Sequence, residues 1–161
     1  MRLTRFAFLI LTAVAASAAP AQDKTPTPPY WASIGAGRAL MRTGPARTYP
    51  GSWMYQRVDL PVRVIGVFEE WRRVQDPDGT EGWMLVNLLR RTRTAIVRGE
   101  TPAPMRAEPT GTAKLLWRAA PGVVGRITQC GSGWCRFDVQ GKSGYVETAN
   151  LWGVEPGETL S

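Results

Sequence analysis

The feature that most constrains this chain is that it says nearly the same thing twice, at a spacing of roughly sixty residues. Arg42-Thr43-Gly44-Pro45 answers to Arg106-Ala107-Glu108-Pro109, and Trp71-Arg72-Arg73-Val74 to Trp134-Cys135-Arg136-Phe137. Gly82-Trp83-Met84 answers to Gly144-Tyr145-Val146, and Asn87-Leu88 to Asn150-Leu151. Order and spacing hold closely enough that two copies of one supersecondary unit account for the chain better than one irregular domain. A unit of that size buries little core and is marginal alone, so the two copies should pack against each other, with Trp117 and Trp152 as candidates for the junction.

No stretch carries apolar residues at helical spacing for three turns. Short β-branched and aromatic runs recur instead between Gly, Pro and Asp, an all-β pattern. In the first unit the strands are expected at 39–42, 62–68, 71–75 and 81–85, with a long excursion at 44–50 and a helical turn at 86–89. Pro77-Asp78-Gly79 is a tight turn with glycine where positive φ is needed. In the second unit the strands are expected at 113–117, 123–130, 134–139 and 142–146, with a turn at 149–151. Short, bent strands of this kind cover a core by curling into a small barrel. The expected architecture is all-β, two small β-barrels in tandem, over residues 31–90 and 94–154. Residues 155–161 are read as a tail.

Arg2 and Arg5 precede an apolar run from Phe6 to Ala16 and an Ala19-Pro20-Ala21 step, the pattern of a secretory leader over 1–21. The run is about half of the ~20 residues a membrane-spanning helix needs, so no membrane insertion is expected after cleavage. A lipid anchor would need a cysteine at the cleavage site, and the two cysteines lie far away. The polar, proline-rich segment 22–30 reads as a linker. The expected address is periplasmic or secreted. The chain is basic, with a formal net charge of +7, but an exported protein meets little nucleic acid, and none is expected as a partner; the charge suits solubility and a monomer.

Two cysteines in an oxidising compartment pair. Cys130 and Cys135 flank Gly131-Ser132-Gly133-Trp134, a turn that would set them on facing strands of a hairpin. A redox-active pair would show the C-x-x-C spacing, which is absent.

These motifs resemble the bacterial SH3-like (SH3b) family in its tandem exported form: an L-x-R-x-G-P opening at Leu40 to Pro45, Tyr49-Pro50, a W-x-x-V strand at Trp71 to Val74, a G-W-M strand at Gly82 to Met84, and Asn87-Leu88. The second repeat lacks the glycine before Pro109 and the Tyr-Pro pair. The resemblance implies SH3-like barrels and binding of cell-wall material or peptides. It also implies a groove lined by the tryptophan that opens the third strand and by aromatics of the long first loop. Carried onto this sequence, that nominates Trp71, Tyr49, Tyr55 and Trp53, with Arg42, Arg47, Arg72 or Arg73 meeting carboxylates. If Val74 and Phe137 point inward, Trp71 and Trp134 stand on the opposite side of their strands. Trp71 either lines the groove or braces the hairpin. Trp83, Tyr145 and Trp152 are read as core or interface residues.

Histidine is absent, which removes Ser-His-Asp and Cys-His hydrolysis and histidine-based zinc sites. Carboxylate chemistry needs two facing acids, and the candidates Glu69, Glu70, Asp76, Asp78 and Glu81 lie on predicted hairpin turns, where acids are expected to be solvated. Gly35-Ala36-Gly37 lacks the strand and helix a nucleotide fingerprint requires. No enzyme activity, cofactor or metal is expected. The function expected is a non-catalytic cell-envelope binding module recognising peptidoglycan or its peptide stems; the alternative is an interaction or assembly subunit docking an envelope protein or peptide.

Overall fold

The computed structural model describes residues 25–161; the leader assigned to 1–21 and the start of the linker lie outside them. Strands β1 (Tyr30–Ile34), β2 (Ala39–Arg42), β3 (Gly51–Tyr55), β4 (Pro61–Phe68), β5 (Trp71–Gln75), β6 (Glu81–Leu85) and β7 (Leu89–Arg90) form one sheet in the order β3-β2-β6-β5-β4-β1-β7. Strands β8 (Thr94–Val97), β9 (Ala103–Arg106), β10 (Leu115–Ala119), β11 (Val124–Gly131), β12 (Trp134–Val139), β13 (Lys142–Glu147) and β14 (Leu151–Trp152) form a second in the order β10-β9-β13-β12-β11-β8-β14. The two orders are the same order, and every pairing is antiparallel. A single 3-10 turn precedes each last strand, at Val86–Leu88 and Thr148–Asn150.

Local chemistry explains the repetition. The β4–β5 and β11–β12 ladders slip at the same place, between Val64 and Gly66 and between Ile127 and Gln129, and such bulges bend a strand enough to close a small sheet on itself. The paired glycines of the G-[WY] motif permit the tight strand crossing. A Cβ on Gly82 would lie 2.5 Å from Met41 Cγ and 2.9 Å from the Arg42 carbonyl oxygen, and one on Gly144 would lie 2.9 Å from Met105 Cβ. Two-residue turns with positive φ, Ser132-Gly133 and Gln140-Gly141, match the strand twist. Each sheet encloses its own core, with Ile34, Met41, Val62, Val64, Val74 and Met84 in the first and Val97, Met105, Ile127, Phe137 and Val146 in the second.

The lobes are joined through β8, all four of whose residues are buried. Alternation sends Ala95 and Val97 into the second core and Ile96 into the first. Ile96 lies between Val124 of β11 and Trp152 of β14 in the ladder, and both neighbours also pack on the first core. The Trp152 ring meets Trp31 edge-on at 4.7 Å between centroids, Arg63 lies 5.8 Å over Trp31, and Arg63 pairs with Glu155 at 3.0 Å. The junction therefore uses Trp152 as expected but not Trp117, which is 44% exposed.

Cys130 and Cys135 form the disulfide, across directly paired positions of the β11–β12 hairpin. The loop it closes is short, so the stabilisation is about 2 kcal/mol. Leu160 pairs with Cys130 on the other side, and Glu158 bonds the Arg93 guanidinium, so residues 155–161 are docked.

Each unit has more strands than the sequence suggested. β1, β3, β7, β8, β9 and β14 were not expected, and the counterpart of β2 in the second unit is β9; the strand expected at 113–117 is β10 (Leu115–Ala119).

Candidate functional site

The outer faces of the two sheets carry the same cross-strand row. In the first, Arg42 of β2 pairs with Trp83 of β6, which pairs with Arg73 of β5. In the second, Arg106 of β9 pairs with Tyr145 of β13, which pairs with Arg136 of β12. Directly opposed residues share a face, so each barrel presents an aromatic ring flanked by two guanidinium groups. One of the two has a structural duty. Arg42 Nη1 donates to the Tyr49 carbonyl oxygen at 2.6 Å and Arg106 Nη1 to that of Ala113 at 2.8 Å, tying down the long first loop at the same offset in each repeat.

The rows differ in charge. Arg73 pairs with Glu81 at 2.8 Å, whereas Arg136 has no hydrogen-bond or ion-pair partner among the described residues. Ser143 stands where Glu81 would be, and its hydroxyl donates to the Asp138 carboxylate. That hydrogen bond, with one from the Gly141 N–H, holds the Asp138 carboxyl below the usual range, and Arg126 and Arg136 add smaller contributions.

The rows also differ in access. Trp71 is 4% exposed. It does stand outside the main core cluster, as strand parity requires, but its cross-strand neighbours are Phe68 and Leu85, two apolar side chains that cover it. The corresponding neighbours of Trp134 are Gly131 and Glu147, which cannot. Trp134 stays half-buried and lines a groove of about 420 Å³ with Pro109, Gln129 and Tyr145. Tyr145 Oη lies 3.4 Å from Gln129 Oε1, leaving its ring edge in the groove wall.

Several nominated groove residues are thereby reassigned. Trp71 is buried. Tyr55 is 6% exposed because it faces the first core, where its hydroxyl donates to Asp76 Oδ2 at 2.7 Å. Arg72 is 5% exposed, and donates to the Tyr30 hydroxyl and to the carbonyl oxygens of Glu69 and Trp71. Tyr49 and Trp53 are exposed, and Arg42 and Arg73 lie on the outer face, but the structure brings Trp53 to the edge strand rather than to the row. The groove that is open belongs to the second repeat. The signal for it was present in sequence as Gly131 and Glu147 in place of Phe68 and Leu85. No cluster of three or more His, Cys, Asp or Glu side chains among the described residues could hold a metal ion, and no helix among them is long and apolar enough to cross a membrane.

Duplicated small barrels of one topology, each with an aromatic and cationic outer face, define a tandem SH3-type protein. The model of the bacterial SH3 domain matches residues 35–90 and again 99–153, together more than half of the chain, and the chain belongs to that family. No curated protein matches it. Solved structures similar to it include NlpC2 and NlpC1 from Trichomonas vaginalis, at 16% and 15% identity and TM-scores of 0.35 and 0.36. Each match covers 80% of this chain and 49% or 47% of the other, so this chain spans about half the length of either. The disulfide and the family are compatible with an extracytoplasmic protein.

Proposed function

We propose that this protein is a non-catalytic binding module of the cell envelope, exported to the periplasm or beyond, and that its second barrel recognises the peptide stems of peptidoglycan. The observation that carries this reading is the open groove beside an unpaired guanidinium: Trp134, Tyr145 and Pro109 offer flat apolar faces, and Arg136 on the same face is free to meet a carboxylate. The first barrel is the weaker candidate, since Trp71 is covered and Arg73 already pairs with Glu81.

The test is co-sedimentation of the purified protein with isolated peptidoglycan sacculi at low and raised salt. Arg136→Ala and Tyr145→Ala should each weaken pelleting about tenfold or more, as loss of a charge-assisted hydrogen bond or a stacked ring implies, while Arg73→Ala changes it little. Binding should fall as salt rises. Failure to pellet at either salt, or indifference to both variants, would overturn the reading and favour a protein partner.

A further inference from the structure

The free edge of each sheet carries a tryptophan that neither core nor groove uses. β3 and β10 end their sheets, and their tryptophans occupy one register position: Trp53 pairs with Met41, and Trp117 with Met105, the methionines preceding Arg42 and Arg106. Trp53 is 60% and Trp117 44% exposed. They also stand at one offset in the sequence, eleven residues after Arg42 and Arg106 respectively.

Each of these rings lines a cavity with two cations. Trp53 lies in a cleft of about 590 Å³ with Arg57 and Arg98, and Asp78 is the one acid there. Trp117 lies in a hollow of about 290 Å³ with Arg118 and Lys142 and no acid. The Lys142 ammonium stands 5.1 Å from the Trp117 ring centroid. Arg57 donates to the Gly122 carbonyl oxygen at 2.6 Å, and Arg98 to that of Pro77. Carbonyl acceptors leave the guanidinium charge unneutralised and further N–H donors free.

The two hollows adjoin. The turn between β10 and β11 supplies Pro121 and Gly122 to the first and Ala120 and Val123 to the second. That turn is held by Val123 N–H to the Ala120 oxygen, Gly122 N–H to the Val97 oxygen, and the Arg57 bond from the other lobe.

We propose that Trp53 and Trp117 are two subsites of one track for an acidic polysaccharide strand, running across the β10–β11 turn from one lobe to the other. An exposed indole is a stacking platform for the flat apolar face of a sugar ring, and four cations against one acid select rings bearing carboxylate or phosphate. Duplication at one register position, with a shared wall between the copies, suits a repeating polymer engaged at two points. This inference rests on the reading of the protein as an envelope-binding module, but uses different residues from the peptide groove.

The experiment is calorimetric titration of the purified protein with dextran, carboxymethyl-dextran and dextran phosphate. Both acidic polymers, or one of them, should bind in a salt-sensitive way and neutral dextran much more weakly; which acid is preferred identifies the group the cations read. Trp53→Ala and Trp117→Ala should each weaken binding on the order of 100-fold, because loss of one subsite removes the avidity of the pair, with thermal stability unchanged. Arg136→Ala should leave binding of the acidic dextrans intact. Equal binding of neutral dextran, no binding of any polymer, full affinity in both tryptophan variants, or a concentration-dependent dimer that the variants abolish would each overturn the track. Acidic-dextran binding lost in Trp53→Ala and Trp117→Ala while sacculus pelleting still depends on Arg136 would support the track as a site separate from the peptide groove.

Discussion

The phenol of Tyr55 shows how one hydroxyl fixes a turn from inside a barrel. It donates to Asp76 Oδ2, while Asp76 Oδ1 accepts the N–H groups of Asp78 and Thr80, so one carboxylate links the core to the β5–β6 turn. Tyr55→Phe removes a buried hydrogen bond to a charged acceptor and should cost about 1.5–3 kcal/mol, measured by urea unfolding. Burial, and then the bond and charge of Asp76, raise the Tyr55 phenol well above its ordinary value of 10.0. The folded pKa exceeds the unfolded one, so this contribution is fully present below about pH 10 and is lost as pH rises beyond it. The melting temperature of the native protein should therefore fall more steeply from pH 9 to pH 11 than that of Tyr55→Phe; equal slopes would show that Tyr55 does not couple folding to alkaline pH. Trp71 teaches the complementary lesson. Strand parity correctly places it outside the main core, but parity assigns a face, whereas exposure depends on what stands opposite, here Phe68 and Leu85.

Among the elements, the docked C-terminal segment is the one whose sequence hid its role. Glu155 to Ser161 is polar and short, yet Leu160 adds a bridge to the edge of β11 at Cys130, and Glu158 clasps Arg93 in the inter-lobe linker while Arg93 Nη2 also donates to the Gly153 oxygen at 2.9 Å. Burial disfavours the Glu158 carboxylate, but the Arg93 guanidinium and the Glu155 N–H outweigh it and hold its carboxyl below the usual 4.5. Its contribution is thus present above about pH 4.5 and is lost as pH falls through the lower folded value. Glu158→Gln should cost on the order of 1–2 kcal/mol at pH 7 and flatten the acid limb of stability between pH 5 and pH 3; an unchanged limb would assign it to other carboxylates. Legibility at this scale follows burial. Strands β4, β5, β6, β11, β12 and β13 were readable because β-branched and aromatic residues recur in them between clear turns, and β2 because it leads into the repeated motif that starts at Arg42. β3 was lost in the first loop because only Tyr55 of its five residues is buried, and β8 because all four of its residues are, so neither shows alternation. The open groove was missed because it depends on Gly131 and Glu147, residues whose meaning lies in the cross-strand pairing.

For the whole molecule, the question is whether two similar barrels behave as one body. Ile96, belonging to the second sheet, completes the first core, and Trp152 presses on Trp31 from the same row. The accompanying Arg63–Glu155 pair has side chains 35% and 45% exposed and adds little, so the junction is held by apolar contact. Neither barrel has a complete surface without the other, and separate unfolding would expose Ile96, Trp152 and Trp31 together. Scanning calorimetry should therefore find one transition with an enthalpy of roughly 90 kcal/mol near 60 °C, equal to the van't Hoff value, rather than two of about half that size. Trp152→Ala should lower the midpoint through a loss of about 2–3 kcal/mol and separate the two transitions, while Trp117→Ala, whose ring is exposed, should leave the trace unmoved. A native trace already split in two would show that the contacts at Ile96 are too weak to couple the lobes, and a track crossing both would then have to be organised by its ligand.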